Sequence, residues 1–115
     1  MITFHEKLRC IDKAKKKEHK IRKLVEKRKL RSLKYYCVAF PSNKENILDI
    51  YNMGEFLFEH YRKDTSEDVH IIGLADSRED AAELVREIID TVYRETGTFN
   101  VERYYTDARD HLTNS

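Results

Sequence analysis

Residues 4 to 31 contain neither glycine nor proline and are dense in Lys, Arg, Leu and Glu, a composition that resists turns and favours one continuous helix. Thr3 and Glu6 supply the spacing with which a helix start satisfies its own free backbone donors. The sequence therefore predicts a helix from about Thr3 to Ser32. At 1.5 Å per residue it is about 42 Å long, beyond the roughly 30 Å diameter of a small domain, and it would overhang the rest of the chain.

Charge sets this stretch apart. Residues 1 to 34 hold 14 Lys/Arg against 4 Asp/Glu, while the remainder holds 8 against 17, so a net charge of +1 conceals two segments of opposite sign. Lys13, Lys16, Lys20, Lys23, Lys27, Arg31 and Lys34 recur at spacings of three or four and form one row on a helical wheel, with Cys10, Ala14, Ile21, Leu24 and Val25 on the other side. The row would run roughly 32 Å, close to the ~34 Å turn of duplex DNA. Like charges so spaced oppose the helix by about 0.2 to 0.5 kcal/mol per step at low salt, which an anionic partner would relieve. A solvated lysine face is the ordinary alternative, since water and salt tolerate one at little cost.

The remainder alternates strand and helix. Tyr35 to Phe40 is apolar on both faces, as a covered strand is. Ser42 and Glu45 repeat the helix-start spacing and open a helix to about Lys63, with Ile47, Ile50, Tyr51, Leu57, Phe58 and Tyr61 on one face. Val69 to Ala75 reads as a second strand. Ser77 and Asp80 open the next helix, whose stripe is Ala81, Leu84, Val85, Ile88 and Val92 and whose C-cap is Gly97. Phe99 to Thr106 alternates like an edge strand. The expected fold is α/β: a long N-terminal basic helix (1–34) followed by an acidic β-α-β-α-β body (35–115) with a small, mainly parallel three-stranded sheet, the whole forming one folding unit.

Chemistry-bearing motifs are sparse. His5, His19, His60, His70 and His111 show no metal-ligand spacing, and Cys10 and Cys37 form neither a C-x-x-C pair nor a disulfide framework. Gly54, Gly73 and Gly97 are isolated and cradle no phosphate. No metal, cofactor or catalytic constellation is expected. Parallel strands would gather Ser42, Asn43, Asp76, Ser77, Asp107 and Arg109 at their carboxyl ends, where open sheets bind ligands, although Ser42 and Ser77 already serve as helix caps. The pairs Tyr35-Tyr36 and Tyr104-Tyr105 could stack single-stranded bases but more often fill sheet faces. Met53, Phe56 and His60 share a second helix face that suits an interface.

The N-terminus has no basic and apolar leader and no run approaches membrane-spanning length, so a cytosolic protein is expected. The functional expectation is a non-enzymatic, oligomeric protein-interaction module using the basic arm. A weakly sequence-selective nucleic-acid-binding role is the alternative.

Overall fold

A computed structural model of the chain describes residues 2–10, 16–29, 33–41, 45–63 and 68–106. Along the chain these form β1 (Ile2–Cys10), α1 (Glu18–Glu26), β2 (Tyr36–Ala39), β3 (Asp49–Asn52), α2 (Met53–Arg62), β4 (Val69–Ala75), α3 (Arg78–Thr96) and a short helix α4 at residues 101–106. One mixed sheet has the order β1-β4-β2-β3. β1 runs parallel to β4, and β2 runs antiparallel to both β4 and β3.

Both sheet faces are covered. On one, Ile21 and Val25 of α1 and Met53 and Leu57 of α2 meet Cys37, Ala39, Val69, Ile71 and Leu74. On the other, Ala81, Leu84, Ile88 and Val92 of α3 and Val101 of α4 meet Val38, Ile72 and Ala75. This double covering explains why β2 and β4 are apolar on both faces. α3 begins where the sequence places it: the Ser77 hydroxyl accepts from the Asp80 N–H at 3.1 Å. It ends at Gly97, whose φ of 74° is the left-handed conformation that a helix C-cap requires and that glycine adopts without strain.

β4 is irregular at its middle. Val38 pairs with Gly73 but Ala39 pairs with Ile71, which leaves Ile72 as an extra residue, while between Phe4 and Arg9 the β1 ladder also shifts register. A Cβ on Gly73 would lie 2.7 Å from Leu84 Cδ2 and 3.2 Å from the Arg9 carbonyl oxygen. Glycine here lets α3 and β1 approach the same point of β4.

The architecture departs from the sequence expectation in four places. First, there is no long N-terminal helix. Residues 2–10 are a strand, and the first helix is the nine-residue α1. Ile2, Phe4, Leu8 and Cys10 all pack on the α1 side of the sheet, and this period-two pattern outweighs the Thr3/Glu6 spacing. Thr3 caps nothing; its hydroxyl lies 2.8 Å from His70 Nδ1 across the sheet.

Second, the predicted helix from Ser42 starts ten residues late. Asp49–Asn52 pairs with β2 as a hairpin strand, and Asn52 is the N-cap of α2, accepting from the Glu55 N–H at 3.2 Å. Ser42 lies outside the described residues, and Glu45 sits in a turn. Third, the edge strand expected at Phe99 to Thr106 is helical: Asn100 accepts from the Arg103 N–H at 3.1 Å, and Val101, Tyr104 and Tyr105 turn toward the core at spacings of three and four. Fourth, the sheet has four strands and is mixed, because β1 and the β2–β3 hairpin were not counted in the predicted parallel layer.

Two measurements check this packing. Gly73→Ala should lower unfolding free energy by about 1 to 3 kcal/mol, because Leu84 or the Arg9 backbone must move; urea unfolding with unchanged stability would contradict the close approach. Burial pushes the Cys37 thiol up to about 12, so almost no reactive thiolate exists at pH 8. Iodoacetamide should therefore modify half-buried Cys10 first and reach Cys37 only on unfolding, as peptide mass mapping would report.

Candidate functional site

The sheet separates charge. Residues 16–29, on one face, carry Lys16, Lys17, Lys20, Arg22, Lys23, Lys27, Arg28 and Lys29 against Glu18 and Glu26. α3, on the opposite face, carries six carboxylates against Arg78, Arg86 and Arg94. Ile21 and Val25 point into the core, and this fixes the rotation of α1 so that Lys16, Lys20, Lys23 and Lys27 are exposed on its outer side.

Of the predicted basic row, the structure brings together Lys16, Lys20, Lys23 and Lys27. Lys34 is exposed beyond the helix, and Lys13 and Arg31 lie outside the described residues. From Lys16 to Lys27 the described part of the row covers about 16 Å at the helical rise.

Local pairing leaves most of this charge uncompensated. Arg22 is held inward: it donates to the Glu18 carboxylate and to the His5 carbonyl, each at 3.3 Å, and its guanidinium lies 5.1 Å from the centre of the Phe4 ring. Among the described residues nothing forms an ion pair with Lys16, Lys20, Lys23 or Lys27. Arg28 ends α1 with φ 56°, its N–H donating to Val25 O and the Lys29 N–H to Leu24 O. That C-terminal motif normally takes glycine, so a cation stands where the backbone would be easier without a side chain.

A second cluster was not visible in the sequence. His5 Nδ1 lies 3.2 Å from His70 Nε2, and His70 Nδ1 lies 2.8 Å from Thr3 Oγ1. The rings of His5 and Tyr105 meet edge to face at 5.0 Å, and Phe40 lies 5.0 Å from His70. One assignment serves every atom: His5 Nδ1–H donates to His70 Nε2, His70 Nδ1–H donates to Thr3, and the Thr3 hydroxyl donates to the Val69 carbonyl at 3.4 Å. The relay sits beside the point where the β1–β4 ladder loses register, with Thr3 and His70 still paired and His5 just beyond the last regular pair, and it clasps the edge strand to the sheet. It requires one ring to stay neutral, because two imidazolium groups would oppose N–H to N–H. Burial raises the Tyr105 phenol above its usual range while the Arg9 charge opposes the rise. The hydrogen bond to the Glu95 carboxylate raises Tyr104. No sequence signal joins positions 65 residues apart: the sequence reads His5 as helical and places only His70 in a strand, Val69 to Ala75.

The remaining predicted positions fall elsewhere. Met53 is fully buried, His60 is 8% exposed, and Phe56 is half-buried and stacked on Tyr51 at 3.8 Å. The expected gathering at the strand carboxyl ends does not form, because antiparallel pairing puts the end of β2 beside the start of β4, at the far end from Asp76 and Ser77. Ser42, Asn43, Asp107 and Arg109 lie outside the described residues. Asp76 keeps one buried oxygen, Oδ1, without a hydrogen-bond partner. Tyr35 and Tyr36 pack on opposite faces of the sheet, and Tyr104 and Tyr105 on the α3 face. Among the described residues no three His, Cys, Asp or Glu side chains converge to hold a metal, and no helix is long and apolar enough to cross a membrane.

Comparison of the chain with family models, with curated proteins and with solved structures finds no match. The functional reading rests on the geometry alone.

The clasp makes a direct prediction. Thr3→Val removes the hydroxyl between His70 and Val69 and should cost about 0.5 to 1.5 kcal/mol of stability. Hydrogen exchange should quicken first in β1. A variant with unaltered β1 protection would show that the imidazole pair does not hold the edge.

Proposed function

We propose that this protein is a non-enzymatic interaction module whose α1 face docks on an acidic surface of a protein partner. The observation that supports the reading is the exposed row Lys16, Lys20, Lys23 and Lys27, unpaired on one side of a sheet whose other side is acidic. Core packing of Ile21 and Val25 fixes the direction in which these lysines project. Such a face raises the encounter rate with an acidic surface and selects against basic ones.

The composition of the row favours a protein over a sequence-read nucleic acid. The row is all lysine, which meets anions as point charges and lacks arginine's planar fork. A weakly sequence-selective nucleic-acid-binding accessory is the competing reading, and it uses the same residues.

Fluorescence anisotropy separates the two, with a labelled oligoglutamate peptide and a labelled random-sequence duplex titrated at low and near-physiological salt. The proposal expects micromolar peptide binding that weakens with salt. The triple variant Lys20→Glu, Lys23→Glu, Lys27→Glu should weaken it by about tenfold or more, since each exposed ion pair contributes up to about 1 kcal/mol. Tighter duplex binding with a steep salt dependence would transfer the face to phosphate. Binding of neither probe at low salt would end both readings.

A further inference from the structure

α3 carries two apolar stripes, of which the sheet uses one. Ala81, Leu84, Ile88 and Val92 are buried against β2 and β4. About a quarter-turn away, Ala82, Val85, Ile89 and Tyr93 line an open groove of about 410 Å³ whose end is closed by Phe99. Val85 and Ile89 are half-buried, while Tyr93 is 51% and Phe99 54% exposed, stacked ring on ring at 5.0 Å. Two large aromatic side chains stacked in the open beside an aliphatic stripe form the anchor type that interfaces use.

We propose that this groove is the seat of a second copy of the same chain, with α3 packed antiparallel against α3 about a two-fold axis near Glu87 and Ile88. The stripe complements itself in that arrangement. With the two helices reversed, Ala82 of one copy lies opposite Tyr93 of the other, so the smallest residue meets the largest at both ends. The rim supplies the second argument. Arg86 and Asp90 border the groove on its solvent side, one turn apart. The two-fold keeps both rims on the same side and brings each Arg86 level with the other copy's Asp90, giving two reciprocal pairs of opposite sign. A parallel two-fold would instead put the two rims on opposite sides of the seam, where neither pair forms. Within one copy Arg86 pairs with Glu83 at 2.5 Å and Arg94 with Asp90 at 3.2 Å. These are exposed surface pairs that contribute little and can be exchanged for contacts across the interface. The interface lies on the face opposite α1 and stands whether or not the α1 reading holds.

Sedimentation velocity of the full chain over micromolar concentrations tests the proposal. The wild type should be a dimer in the upper part of that range. Tyr93→Lys, at a half-exposed position, should shift dissociation at least about tenfold toward monomer, the scale of a lost interface anchor, with the far-ultraviolet circular dichroism of the monomer unchanged. Arg86→Asp alone should also weaken the dimer by placing carboxylates against Asp90, and Arg86→Asp with Asp90→Arg should restore it. A wild-type monomer throughout would overturn the proposal, as would a dimer indifferent to Tyr93→Lys. Failure of the double exchange to recover association would overturn the antiparallel two-fold.

Discussion

Everything in this fold depends on how tightly β4 can be enclosed. It pairs with β1 on one edge and β2 on the other, and it receives helices on both faces. Gly73 lies where these demands coincide: the Arg9 carbonyl comes in from β1, Leu84 from α3 and Val38 from β2. A side chain fits there only if Leu84 and the Arg9 carbonyl give way. Ile72 faces α3 by plain alternation; the bulge keeps Gly73 on that face too and sets Leu74 on the α1 face, so a single strand serves two cores despite its irregular ladder. Stability here comes from apolar surface hidden on both sides of one strand.

The edge strand shows what this arrangement costs. β1 pairs with β4 near its ends, through Ile2 to Phe4 and again at Arg9 and Cys10, and it loses register between. At the edge of that gap side chains add to the ladder: His5, just past the last regular pair, joins the paired Thr3 and His70 in the relay, and Arg22 reaches from α1 to the His5 carbonyl. Irregular edges with inward polar groups are also how sheets discourage further strands from adding. The cluster of imidazoles, phenol and Phe40 fits this edge construction.

How much of this was legible in the sequence depended on whether neighbours or distant residues decided each segment. β2, β4 and α3 were legible because each signal is local: continuous apolar runs for the buried strands, and Ser77, Asp80 and Gly97 marking the helix. Where two local signals competed, the wrong one could win. Thr3 and Glu6 imitate a helix start, yet Ile2, Phe4, Leu8 and Cys10 supply a strand face once β4 offers an edge. Asn52 and Glu55 carry the same spacing as Ser42 and Glu45, and only the pairing of Asp49–Asn52 with β2 decides which pair opens the helix. Tertiary pairing overrides propensity in both cases. The charge contrast between the two parts of the chain was visible, but its placement on opposite faces of one sheet was not, because it depends on strand order. The His5–His70 contact was invisible for the same reason.

That placement constrains how the surfaces can be used together. α1 presents its lysines away from one sheet face, and the Ala82–Tyr93 stripe of α3 opens on the other. A contact at either surface leaves the other uncovered, because the sheet lies between them. An antiparallel α3 pair would also bring the acidic flanks of two copies to the same side of the seam. Self-repulsion there is limited by the arginines interspersed along the helix, Arg78, Arg86 and Arg94, which keep α3 from being uniformly acidic. α1 has no comparable interspersion, since Glu18 is engaged by Arg22 and only Glu26 remains among its lysines. The two faces therefore differ in kind. One carries both signs and can pair them within a symmetric dimer, whereas the other is nearly all cationic and cannot complement itself.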